Sequence, residues 1–79
     1  MEKYIKFLTK LDAKTRDRLI KIIWKIADGD LKNLDIKMLH SEYGVYRCRI
    51  GKIRILFQKT EFGNRVMDIG WRGDVYKDF

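Results

Sequence analysis

Apolar and polar residues alternate with a period of two from Tyr46 to Gln58, in the order Tyr-Arg-Cys-Arg-Ile-Gly-Lys-Ile-Arg-Ile-Leu-Phe-Gln. Alternation on both sides of the Gly51-Lys52 step predicts a β-hairpin. Successive side chains of a strand point to opposite faces, so Arg47 and Arg49 share one face while Tyr46, Cys48 and Ile50 share the other. On the second strand Arg54 opposes Ile53, Ile55 and Phe57. Packing the apolar faces together leaves three guanidiniums on the remaining face, with no Asp or Glu between Val45 and Lys59. The strands expected are about Val45–Ile50 and Lys52–Lys59. A turn over Glu61-Phe62-Gly63-Asn64 and a third strand over Arg65–Gly70 follow, with Met67 and Ile69 on the apolar face.

Towards the N-terminus the apolar spacing becomes helical. Tyr4, Phe7, Leu8 and Leu11 make one short amphipathic segment over Lys3–Leu11. Asp12 reads as the N-cap of a second helix, Ala13–Ala27, whose stripe is Leu19, Ile20, Ile22, Ile23, Ile26 and Ala27. Asp28-Gly29-Asp30 ends it. Residues 30–44 read as a connection whose Leu31, Leu34, Ile36, Met38 and Leu39 tack it onto the body of the protein. The expected architecture is α+β: an N-terminal helical hairpin on one face of a small antiparallel sheet of about three strands, in a single domain over 1–79.

Seventy-nine residues suffice for one small core. The single cysteine, Cys48, excludes an intrachain disulfide, fits a reducing cytoplasmic setting and reads as a core residue. No apolar run approaches the roughly 18 residues of a membrane span, and no leader pattern is visible.

Charge changes the picture more. The formal net charge is +7, and residues 45–59 carry five Lys/Arg and no Asp/Glu. Nucleic acid, or an acidic protein, is the natural partner of such a stretch, and the guanidinium fork is the group best matched to phosphate. Lys6, Lys10, Lys14, Arg16, Arg18, Lys21 and Lys25 read as a solvated helix face, or as contacts to RNA phosphates. Trp24 reads as core or partner-facing.

The hairpin Tyr46–Phe57, the segment Leu34-Asp-Ile-Lys-Met-Leu39 and the ending Ile69-Gly-Trp-Arg-Gly-Asp-Val-Tyr76 together resemble the RelE/ParE toxin superfamily, and most closely its RelE-like mRNA interferase branch. The resemblance spans nearly the whole chain. It implies the toxin of a type II toxin–antitoxin pair, a cytoplasmic endoribonuclease that cleaves ribosome-bound messenger RNA. A ribose 2′-hydroxyl attacks the adjacent phosphate, and no metal or cofactor is needed. The implied partners are a cognate antitoxin, in a hetero-oligomer, and the ribosome with its message, with no membrane involved.

The resemblance assigns phosphate binding and charge stabilisation to Arg47, Arg49, Arg54 and Arg72, expected in one solvent-open concavity beside Tyr76, which orients the nucleotide or shares in proton transfer. Lys52, Trp71 and Lys77 are the further RNA contacts expected, with Trp71 either a stacking platform or the ring that closes the sheet. Family members usually begin with a strand, here short or absent, and often carry His where Trp71 stands. Some carry lysines at Arg47 and Arg49. Arginine is a poor proton acceptor, which implies weak activity unless another base serves. His40 is the only imidazole and is placed before the first strand, as a candidate base or a loop-surface residue. Asp74 reads as an arginine partner or tail cap. Two other readings stay open: a ParE-like gyrase inhibitor without nuclease activity, and a catalytically degenerate antitoxin-binding member.

Overall fold

The computed structural model describes residues 3–73. Asp74, Tyr76 and Lys77 lie outside the described residues. Helix α1 spans Lys3–Thr9 and α2 spans Ala13–Ala27. Strands β1 Asp35–His40, β2 Val45–Ile50, β3 Ile53–Thr60 and β4 Gly63–Trp71 follow. The strands form one antiparallel sheet in the order β1-β2-β3-β4.

Each helix ends where a side chain or a glycine takes over the backbone bonding. Thr9 Oγ1 donates to the Lys6 carbonyl at 2.7 Å as α1 stops. Asp12, in an extended conformation, accepts from the Thr15 amide at 3.2 Å and caps α2. At the other end Gly29 has φ +79°, and the amides of Gly29 and Asp30 return to the carbonyls of Ile26 and Lys25. That is the left-handed helix stop expected of Asp-Gly-Asp.

The core forms where the apolar stripe of the helices meets one face of the sheet. Leu8, Leu19 and Ile26 pack with Cys48, Ile53, Ile55, Phe57 and Ile69. The Tyr46 ring stacks on Phe57 at 5.5 Å between centroids. Asn64 Nδ2 donates to the Ile26 carbonyl at 2.9 Å and ties β4 to the end of α2. Burial pushes the Cys48 thiol up to about 11, with the nearby Asp35 charge adding to the effect, as befits an inert core residue.

The sheet has one strand more than the sequence suggested. Residues 30–44 are not simply a connection, because Asp35–His40 pairs with β2, joining Ile36 to Cys48 and Met38 to Tyr46. A bulge at Leu39 shifts the register before His40 meets Val45. His40 therefore ends a strand instead of preceding the first one. Trp24, 67% exposed, is not part of the core.

Candidate anion-binding face of the sheet

Strand register decides which side chains share the face turned away from the helices. Asp35, Arg49, Arg54 and Gly70 lie opposite one another across the four strands. Lys37, Arg47, Leu56 and Asp68 form the next row, then His40, Val45, Gln58 and Arg65. Five cationic side chains thus stand against two carboxylates in this grid. Its centre is not wholly polar, since Val45 and Leu56 are buried there.

The expected convergence of Arg47, Arg49 and Arg54 on one face holds, but their surroundings differ from expectation in two ways. The first concerns acid. No carboxylate lies within the hairpin sequence, yet β1 brings Asp35 beside it. Arg47 Nη1 donates to the Asp35 carbonyl at 3.1 Å and to Asp35 Oδ1 at 3.3 Å. Arg49 Nε lies 2.6 Å from Asp35 Oδ2. Desolvation would raise the Asp35 carboxyl, but the charges of Arg49 and Arg47 and their hydrogen bonds outweigh it and hold the carboxyl below its ordinary value.

The second concerns exposure. Arg54 is only 7% exposed, so it does not stand in an open concavity. Its Nη1 donates to the Gly51 carbonyl at 2.8 Å and to the Ile53 carbonyl at 3.0 Å. The guanidinium thereby braces the β2–β3 turn, where Gly51 takes the positive φ of +58° that a tight hairpin step needs. Arg49, with 55% of its side chain exposed, is the most accessible guanidinium of the three, whereas Arg47 is 14% exposed.

Arg72 is exposed, and its amide donates to the Lys52 carbonyl at 2.9 Å. This bond extends the β3–β4 ladder by one step, so Arg72 and exposed Lys52 neighbour each other just beyond the row of Arg49 and Arg54. Trp71 pairs with Ile53, and its ring meets Phe7 of α1 edge-on at 5.3 Å. It therefore sits on the helix side of the sheet, away from the arginines, and stays 47% exposed there. His40 is exposed, with its ring 6.4 Å from that of Tyr43, and stands two rows from Arg49 and Arg54.

Sequence reasoning missed Asp35, Lys37, Arg65 and Asp68. The parity of Asp68 against Ile69 was readable along β4, but alternation puts Arg65 on the side of Met67 and Ile69, and only the bulge at Met67, which leaves Leu56 paired with Asp68 and Phe57 with Val66, turns Arg65 to the arginine face. Asp35 and Lys37 had a readable signal too, in the alternation Asp-Ile-Lys-Met.

Among solved structures, the chain is similar to a chain of the RelB-RelE antitoxin-toxin complex from Methanococcus jannaschii, with a TM-score of 0.77 and 22% identity over 100% of this chain and 95% of that one. No family model and no curated protein matches the sequence. At this identity the likeness is one of fold, two helices on a four-stranded antiparallel sheet, and that fold is RelE-like.

Proposed function

We propose that this chain is the toxin of an antitoxin–toxin pair and that it cleaves messenger RNA held by the ribosome. One observation carries the reading. On a RelE-like fold, the sheet face away from the helices gathers Arg47, Arg49, Arg54, Lys37 and Arg65, with Arg72 and Lys52 at its margin.

Such a face suits transfer at a phosphodiester. The ribose 2′-oxygen attacks phosphorus, the bond to the 5′-oxygen breaks, and the products carry a 2′,3′-cyclic phosphate and a 5′-hydroxyl. The pentacoordinate state carries more negative charge than the diester, so cations fixed in place beforehand lower the barrier. Arg49 and Arg72 are exposed enough to meet the phosphate, while Arg47 and Arg54 add charge from anchored positions. None of these arginines serves as a base. His40 stands at the far end of the face from Arg54, and we assign proton transfer to Tyr76, as the resemblance implies, and to groups of the ribosome. The ribosome supplies ordered substrate, so positioning and charge account for much of the rate. The same basic face suits an acidic antitoxin segment that folds onto it.

A second reading, a degenerate member that only binds its antitoxin, is favoured by the ties Arg47 and Arg54 already make within the protein. The experiment incubates ribosome-bound message with wild type and with Arg72→Ala. Fragments ending in 2′,3′-cyclic phosphate from wild type alone support the nuclease. Intact message in both lanes refutes it, and inhibition of gyrase supercoiling without cleavage supports the gyrase-directed alternative.

A further inference from the structure

Asp35 opens β1 at the edge of the sheet, in register with Arg49 and one step from the pair Lys37 and Arg47. An acid in a cationic field weakens long-range attraction for a polyanion, so its presence calls for a local reason. Its two oxygens are divided between two guanidiniums, Oδ1 with Arg47 Nη1 at 3.3 Å and Oδ2 with Arg49 Nε at 2.6 Å. Arg47 is held a second time, by the Asp35 carbonyl at 3.1 Å. Arg49 is gripped at Nε alone. Its terminal nitrogens make no hydrogen bond to the described residues, and its side chain is 55% exposed.

A guanidinium held at Nε presents its terminal fork, the edge that matches two phosphate oxygens. Holding it there also removes rotamer freedom before the ligand arrives. We infer that Asp35 is a positioning residue, which aims the Arg49 fork at a single phosphodiester and fixes the Arg47 charge beside it. This inference rests on the reading that the face receives RNA, and it names the device that aims the face. Asp35 touches neither the phosphorus nor the ribose. It acts through the two arginines, trading overall affinity for geometry.

The test has a binding arm and a rate arm. Arginine-labelled protein is titrated with the dinucleoside monophosphate ApA while the Nε–H signals of Arg47 and Arg49 are followed by NMR. In wild type both signals shift together, and the Arg49 Nε–H exchanges slowly with water. In Asp35→Ala the paired shifts are lost. Cleavage at saturating ribosome concentration also slows by about tenfold or more, the scale expected of a misplaced catalytic group. The half-saturating ribosome concentration stays level or falls, because a negative charge has gone. Asp35→Glu, which keeps the charge, recovers part of the rate. A merely structural or screening acid moves affinity without lowering the saturating rate. Asp35 lies exposed at an edge, and Asp35→Asn replaces Asp35→Ala if that variant does not fold. Paired shifts that persist in the variant overturn the inference whatever the rate. A wild type that cleaves nothing, with paired shifts present and lost in Asp35→Ala, ends the nuclease reading and leaves the positioning role standing.

Discussion

Replacing Arg54 by Ala should unfold the protein more readily before it says anything about catalysis. Arg54 is the one buried charged side chain among the described residues, and its Nη1 bonds the carbonyls of Gly51 and Ile53. Hydrogen bonds from a charged donor contribute about 1.5–3 kcal/mol each. The Gly51 carbonyl belongs to an exposed turn, so water replaces the guanidinium there and that bond counts for little. The Ile53 carbonyl begins a buried strand and loses more. Adding the truncated aliphatic stem gives a cost of roughly 2–4 kcal/mol. With a urea dependence of about 1 kcal/mol per molar for so small a domain, the unfolding midpoint should drop by about 2 M or more. Arg54→Met, which keeps the stem, should lose about half as much. Arg49→Ala is the control, since that side chain is largely exposed and its removal should leave the midpoint near wild type. Urea unfolding followed by circular dichroism reads all three. An Arg54→Ala midpoint within about 0.3 M of wild type would refute the reasoning, because the buried guanidinium would then contribute nothing to the turn. Activity of the variant therefore has meaning only per folded molecule.

The turn that Arg54 braces should also be sensitive at Gly51, whose φ is +58° with no atom within 4 Å of an added Cβ. Gly51→Ala should cost about 1–2 kcal/mol through backbone strain alone, and Gly51→Asn less, as urea midpoints would read. Cys48, with its thiol raised to about 11 from 9.0, should resist alkylation at pH 8 until urea is added. Because the folded state holds that proton more tightly, stability should fall as pH climbs from 9.0 towards 11, and comparison with Cys48→Ala isolates the slope. Asp35 titrates below 3.8 in the folded protein, so its contribution is present above that value and is lost as pH falls through the lower folded midpoint. NMR of the carboxyl carbon should show that midpoint, and should show it rising in Arg49→Ala.

Much of this protein is legible before folding because its signals are local. The bounds of α2, its Asp12 cap and its Gly29 stop depend on residues within one or two turns of one another. The β2–β3 hairpin follows from alternation about a glycine, interrupted only at Leu56, and it places Arg47, Arg49 and Arg54 on one face whatever lies around them. Strand β1 lacks that independence. It is an edge strand with a bulge at Leu39 that interrupts its alternation, so the short Asp-Ile-Lys-Met pattern hints at a strand without fixing where it pairs. What the arginines do once they share a face was likewise decided in three dimensions. The pairing of β1 carries Asp35 against Arg47 and Arg49, and the central place of β3 buries Arg54 against its own turn. Periodicity along a chain states which side of a sheet a residue occupies. Its neighbours there, and hence its charge partners and exposure, come from strands far away in sequence whose register no local pattern encodes.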